Sequence, residues 1–158
     1  MPTGVPDPRL LSVTIAPDAL AGRSPAQEAD VRAALADLAG ARFAPALPHA
    51  GPYRAALDCP DGRLAIAVSD AGGRHLRTYG LAMTGLRALA REYLAMLDAY
   101  EAARVRGGAG LETVDMARRG VHNRAAERLQ ERLVGKIDMD FDTARRLWTL
   151  VAALHCRG

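Results

Sequence analysis

The chain has 158 residues, of which 49% are hydrophobic and 25% are charged, and its formal net charge is +3. This length suits one domain with a core of its own, and the hydrophobic fraction excludes wholesale disorder. A charge of +3 is weak for a nucleic-acid-binding domain, no apolar run approaches the about 20 residues of a membrane helix, and no secretory signal is expected.

The first half of the chain is predicted to form a sheet with one helix inserted into it. Ser24, Pro25 and Gln27 make a helix start with a capping box, and Gly40 ends that helix. Extended segments are predicted from apolar alternation and from glycine-containing turns. They lie at residues 10–16, 42–47, 53–57, 63–70 and 75–80. Pro45 keeps the second of these segments short or at an edge.

The second half is predicted to be helical, because apolar residues recur there at steps of three and four. Thr84 is the expected N-cap of a long helix that crosses the sheet and ends at Gly107. Two further helices are predicted in residues 111–133, with a break near Gly120. A last helix is predicted in residues 141–155, with the most buried surface of all.

These elements predict a single α+β domain over residues 1–158, in which residues 1–8 form a flexible tail. Its antiparallel sheet of about four to five short strands is expected to pack against the long central helix and a C-terminal helical subdomain. The two cysteines, Cys59 and Cys156, are interpreted as free thiols in a cytosolic protein. Their spacing does not fit a zinc site, so no metal or other cofactor is predicted.

Function is expected in the last third of the chain, where hydrogen-bonding side chains are dense. Guanidinium groups bind phosphate or carboxylate through paired N–H groups, and histidine exchanges protons near neutral pH. Arg54 is expected to reach from its strand to the acids of the C-terminal helices. The candidate ligand-binding residues are Arg118, Arg119, His122, Asn123, Arg145, Arg146 and Arg54. No catalytic residue and no metal ligand is assigned.

Most of these residues also have a purely structural interpretation. The arginine pairs can form ion pairs on a helix surface, for instance with Asp142, and this interpretation is favoured over anion binding. His122 and Asn123 can mark a helix start, with Asn123 as the N-cap. The alternating acids at 138, 140 and 142 lack the glycine and the terminal glutamate of a calcium loop. Asp140 or Asp142 is therefore expected to cap the last helix.

Several motifs resemble those of uncharacterised protein family 0262 of alphaproteobacteria. They are Gly51-Pro52-Tyr53-Arg54, Asp115-Met116, Arg118-Arg119-Gly120, His122-Asn123, Glu131-Arg132-Leu133, Gly135-Lys136 and Asp140-Phe141-Asp142-Thr143-Ala144-Arg145-Arg146-Leu147. The resemblance extends from the first predicted strand to His155, and it implies a bacterial cytoplasmic protein without implying an activity. Family members tend to have an acid after the His-Asn pair and a more acidic first helix, whereas this chain has Arg124. A mechanism that needs a carboxylate at position 124 is therefore not expected.

Two classes of function remain open on the sequence. The preferred one is a non-enzymatic regulatory or protein-interaction domain whose arginine-rich helical face docks another bacterial protein, because no complete catalytic set is present. The alternative is a protein, or an enzyme, that binds a small anionic ligand through the Arg/His/Asn cluster of the C-terminal helices. Neither nucleic acid nor a membrane is expected as a partner.

Overall fold

The computed structural model describes residues 5–154. In this part of the chain the strands are β1 (Leu10–Ile15), β2 (Ala44–Pro45), β3 (Tyr53–Asp58), β4 (Arg63–Asp70), β5 (His75–Ala82) and β6 (Ile137–Asp138). The α-helices are α1 (Pro25–Leu38), α2 (Leu86–Arg106), α3 (Leu111–Arg132) and α4 (Phe141–Leu154). Within residues 5–154, none of these helices combines the length and the apolar character needed to cross a bilayer.

The predicted α+β fold is confirmed, and its main sheet has the strand order β1-β3-β4-β5. The turns after β3 and β4 are short, so β3, β4 and β5 pair antiparallel, as predicted. β1 pairs parallel to β3, which makes the sheet mixed. The reason is the crossover through α1, which returns the chain to the starting edge before β3 begins. β2 and β6 form a separate antiparallel pair.

Helix α4 lies at the centre of the helical layer, packed against α1, α2 and α3. Leu147, Trp148 and Leu150 are fully buried on it, in agreement with the prediction that the last helix is the most buried. Burial of a large apolar side chain contributes about 1.5–3 kcal/mol, so this helix is a main contributor to the stability of the core. The longer α2 and α3 form an antiparallel hairpin beside it.

The local helix signals are confirmed at two starts and wrong at two other positions. Ser24 accepts from the backbone of Gln27 in the predicted capping box of α1, and Asp140 accepts from the amide of Thr143 at the start of α4. The N-cap of α2 is Gly85, in the left-handed conformation, rather than Thr84. No break occurs at Gly120: α3 is one continuous helix, because its packing against α2 and α4 outweighs the low helix propensity of glycine.

The cysteine interpretation changes as well. Cys59, after β3, is disulfide-bonded, so its interpretation as a free thiol is wrong. Cys156 and His155 lie outside the described residues. The prediction that residues 1–8 form a flexible tail stays a prediction.

Candidate functional site

Three of the seven predicted site residues meet inside the helical layer. Arg118 and His122 are four residues apart on α3 and therefore share one face of that helix. That face is turned toward Tyr93 of α2, whose ring centroid lies 5.0 Å from that of His122. Arg145 of α4 approaches the same histidine, with 3.4 Å between its Nη2 and the imidazole Nδ1. The structure therefore brings three of the seven residues together, and their role in binding a ligand stays a prediction.

The cluster continues onto α1 through Asp30, which the sequence interpretation missed. The Tyr93 hydroxyl donates a short hydrogen bond to the Asp30 carboxylate and lies 3.2 Å from Thr149 Oγ1. Burial is the main cause that raises the pKa of Tyr93, and the charge of Asp30 raises it further. Tyr93 is therefore a protonated donor that joins α1, α2 and α4.

His122 is held as a neutral ring with both nitrogens occupied. Its Nε2 lies 2.8 Å from the Arg145 carbonyl oxygen, which can only accept, so Nε2 carries the hydrogen and Nδ1 accepts from the guanidinium. Burial is the largest cause that lowers the pKa of His122. The hydrogen bond to the Arg145 carbonyl raises this pKa, and the positive charge of Arg145 lowers it further. His122 and Asn123 are interior positions of α3, more than ten residues after its first residue, Leu111, so the interpretation of Asn123 as an N-cap is wrong.

Arg118 forms an ion pair within its own helix, which is the kind of contact that the structural interpretation of the arginine pairs expected. Its Nη2 lies 2.7 Å from Asp115, and its guanidinium stacks 4.8 Å from the centroid of the Tyr100 ring. Arg119 reaches the other oxygen of Asp115 at 2.9 Å. The hydrogen bond from Arg118 is the main cause that lowers the pKa of Asp115. Arg118 Nε is buried without an acceptor among residues 5–154.

Arg145 and Arg146 border a small cavity of about 200 Å³ beside α1. Arg146 Nε lies 3.5 Å from Asp37 of α1. Within the described residues Asp142 pairs with neither arginine, so the predicted pairing inside α4 is wrong. Arg146 pairs instead with Asp37 on the facing helix α1. Three aspartates, Asp30, Asp37 and Asp142, line this cavity beside two arginines and the neutral His122. A small anion therefore finds no excess of positive charge here.

The remaining predicted residues lie away from the cluster. Arg119 and Asn123 are exposed on α3. Arg54 lies on the outer face of the sheet, where it donates to the Ala71 carbonyl at 2.9 Å and to Ser12 Oγ at 3.1 Å. The expectation that Arg54 joins acids of the C-terminal helices is wrong, because strand alternation turns its side chain away from the face that packs on α4.

A larger groove lies between α1 and α2, and apart from Arg118 it was missed by the sequence interpretation. This surface, the α1–α2 groove, has a volume of about 1080 Å³. Its apolar walls come from Ala26, Ala29, Leu97, Ala102 and Val105. The alanines leave the space open, but alanine is too common in this chain to act as a signal. The sequence offered one local signal, an apolar Val105 between Arg104 and Arg106 near a helix end, and the structure shows that Val105 is 74% exposed.

The carboxylates of the α1–α2 groove have partners within the protein. Asp98 accepts from Ser24 Oγ at 2.6 Å and from Gln27 Nε2 at 2.9 Å. Glu101 forms an ion pair with Arg104 at 2.6 Å, and the hydrogen bond from Arg104 lowers the pKa of Glu101. Across residues 5–154, no three His, Cys, Asp or Glu side chains are arranged to hold a metal ion.

Comparison with known proteins gives relatives without a described activity. The model of the uncharacterised protein family UPF0262 matches residues 7–157. A UPF0262 protein of Novosphingobium aromaticivorans is 55% identical over 115 residues, which cover 70% of each chain. A UPF0262 protein of Sphingopyxis alaskensis is 42% identical over 95% of this chain and 94% of its own. One of Caulobacter vibrioides is 40% identical over the same two shares. No solved structure matches the chain.

Proposed function

Since the chain belongs to the uncharacterised protein family UPF0262, which supplies no activity to carry over, we propose from its surface chemistry that it is a non-enzymatic protein-interaction domain. In this proposal it acts in the bacterial cytoplasm, and its binding surface is the α1–α2 groove. The partner is another bacterial protein, one segment of which lies in the groove.

The observation that carries this proposal is an apolar groove with a stacked arginine and tyrosine in its wall. Arg118 lies over the Tyr100 ring, and both residues border the groove beside Leu97 and the exposed Val105. Tyrosine and arginine are enriched at the energetic centres of protein interfaces, where they sit in largely desolvated surroundings. Exposed apolar surface of this kind is typical of protein-binding grooves.

The polar cluster supports the non-enzymatic part of the proposal. A general acid or base must reach a substrate proton, yet both nitrogens of His122 are engaged by Arg145. The cavity that the two residues line carries three carboxylates, which disfavour the anionic ligand of the alternative function. These features favour a structural role for the cluster: Tyr93 joins α2 to α1 and α4, and His122 joins α3 to α4, so the cluster holds the two walls of the groove in place.

A site-specific crosslink tests the proposal. We would place the photo-reactive residue benzoylphenylalanine at position 105 of the full chain and express it in Caulobacter vibrioides, which has a relative of its own. The same experiment would be repeated with Ala102→Trp, which fills the groove from an exposed position. Ala95→Trp is the matched control, because Ala95 is exposed on α2 but does not line the groove.

The expected result is one identified protein that crosslinks to the parent and to the Ala95→Trp chain but not to the Ala102→Trp chain. The purified partner should then bind the three chains with the same ranking. A crosslink that survives the filled groove would place the interaction elsewhere, and the absence of any protein crosslink would refute the interaction role.

A further inference from the structure

The small cavity beside α1, which Arg145 and Arg146 border, presents charges of both signs that have no ion-pair partner within residues 5–154. We propose that this cavity, of about 200 Å³, binds a small amino acid, whose ammonium group contacts Asp30 and whose carboxylate contacts Arg145. The proposal adds a small-molecule ligand to the protein interaction proposed above, and each of the two can fail without the other.

Arg145 is the positive charge without a partner. No carboxylate in the described part of the chain forms an ion pair with it, and its Nε is buried without an acceptor there. The next residue, Arg146, does pair with a carboxylate of the cavity, Asp37, at 3.5 Å. Asp37 therefore neutralises Arg146, while the guanidinium of Arg145 stays available to an occupant.

Asp30 and Asp142 are the negative charges without a partner. Asp30 is half-buried, and among residues 5–154 its carboxylate accepts only from the Tyr93 hydroxyl, which is a neutral donor. Asp142 also lines the cavity, is exposed and forms no ion pair with the same residues. A half-buried charge is costly when no opposite charge replaces the water that it has lost, so Asp30 gains most from an ammonium group.

His122 holds the guanidinium of Arg145 in position and leaves its charge unneutralised. The imidazole is 8% exposed and contacts Arg145 twice. Its Nε2 donates to the Arg145 carbonyl at 2.8 Å, and its Nδ1 accepts from the guanidinium at 3.4 Å. A neutral acceptor orients a cation without cancelling its charge. Such orientation in advance reduces the entropy lost when a ligand binds.

The arrangement indicates a ligand that carries both charges. If Arg145 and Asp30 were present for stability alone, direct contact would be the favourable arrangement, as between Arg146 and Asp37. They line one cavity instead without forming an ion pair. An ammonium group at Asp30 and a carboxylate at Arg145 satisfy both, since guanidinium groups bind carboxylates through paired N–H groups. A simple anion would meet unneutralised acids, and a simple cation would leave Arg145 unpaired.

The volume of the cavity limits the ligand to a small amino acid. About 200 Å³ is the space of about seven water molecules, each of which takes about 30 Å³ in the liquid. Alanine and serine are of that size, whereas the cavities that enclose larger ligands start at about 300 Å³. A long or aromatic amino acid is therefore not expected.

Calorimetric titration of the folded full chain tests the proposal. The probes are glycine, L-alanine, L-serine and β-alanine at millimolar concentration, and ethylamine and propionate carry only one of the two charges. We expect at least one amino acid to bind, and both single-charge compounds to bind at least about tenfold more weakly, because each loses a charged contact. No binding by any of the four amino acids would overturn the proposal. So would ethylamine or propionate that binds as tightly as the amino acid.

Asp30→Asn then tests the ammonium contact. The asparagine oxygen still accepts from the Tyr93 hydroxyl, so the variant loses the charge and keeps the hydrogen bond. The affinity for the amino acid should fall at least about tenfold, and that for propionate should not fall. Asp98→Asn is the matched control, because Asp98 lines the α1–α2 groove as Asp30 does and also accepts from neutral donors, but it does not line the cavity. An equal loss in both variants, or a loss in neither, would overturn the assignment.

Arg145→Gln tests the carboxylate contact in the same way. It should weaken the amino acid and propionate but not ethylamine, and equal weakening of all three would overturn the assignment. If this variant does not fold, the comparison of Asp30→Asn with Asp98→Asn decides alone. Sulfate that binds more tightly than every amino acid, and that Asp30→Asn does not weaken, would make the cavity an anion site and overturn the proposal. The crosslink at position 105 is a separate measurement, so its failure would leave the amino-acid site standing.

Discussion

The replacement Gly120→Ala tests the continuity of α3 directly. Gly120 lies inside the helix, its backbone is not in the left-handed region, and a methyl group there would meet no atom within 4 Å. Alanine is about 0.8–1.0 kcal/mol more favourable than glycine in an exposed helix interior. For a chain of this length that gain corresponds to a rise of about 2–4 °C in the melting temperature.

The matched control is Gly135→Ala, just after α3. A methyl group at Gly135 would also meet nothing within 4 Å, but its φ is +79°, in the left-handed region. That conformation costs a residue with a Cβ about 1–2 kcal/mol, so the melting temperature should fall by about 2–8 °C. Thermal unfolding followed by circular dichroism at the helical band measures both. A lower melting temperature for Gly120→Ala would mean that position 120 needs glycine and that α3 is broken there.

Three further substitutions test the contacts of the helical layer. His122→Gln should lower the free energy of unfolding at pH 8, and the difference from the parent should become smaller toward pH 5. The pKa of His122 is lowered in the folded state, so below the ordinary pKa of about 6.5 the unfolded parent takes up a proton that the folded parent does not, and the parent loses stability. Denaturant titrations in which the difference stays constant with pH would contradict the neutral ring. Ser24→Ala should cost about 1 kcal/mol, because the α1 cap and the bond to Asp98 are both lost, and an unchanged urea midpoint would count against this cap. Tyr93→Phe should cost about 1 kcal/mol or more, because the partly buried Asp30 loses its donor, and a melting temperature equal to that of the parent would show that the hydroxyl contributes nothing.

The accuracy of the sequence predictions depended on the range of the interaction concerned. The α1 start was predictable because Ser24 and Gln27 satisfy each other's backbone groups three residues apart. The strands from 53 to 82 were predictable because alternation and turn residues are local. Gly120 was misread because its local signal, low helix propensity, is outweighed by packing with α2 and α4, which are distant in sequence.

The candidate site shows the same division. The spacing of Arg118 and His122 determined that they share a helix face. Asp30 and Tyr93, which are 63 residues apart in the chain, lie beside them, and nothing in the sequence indicated this. Likewise, acids close to the arginines in sequence predicted that ion pairs would form, but they did not identify the partner of Arg146, which is Asp37 on the facing helix α1.

The sequence by itself determined the class of fold, the positions of most elements and the residues that face inward, since periodicity and capping act over a few residues. Only the tertiary structure decided that α4 is the centre of the helical layer and that α1 and α2 leave an alanine-lined groove between them. The physical reason is that a groove is defined by the separation of elements far apart in the chain, and that separation depends on how their side chains pack.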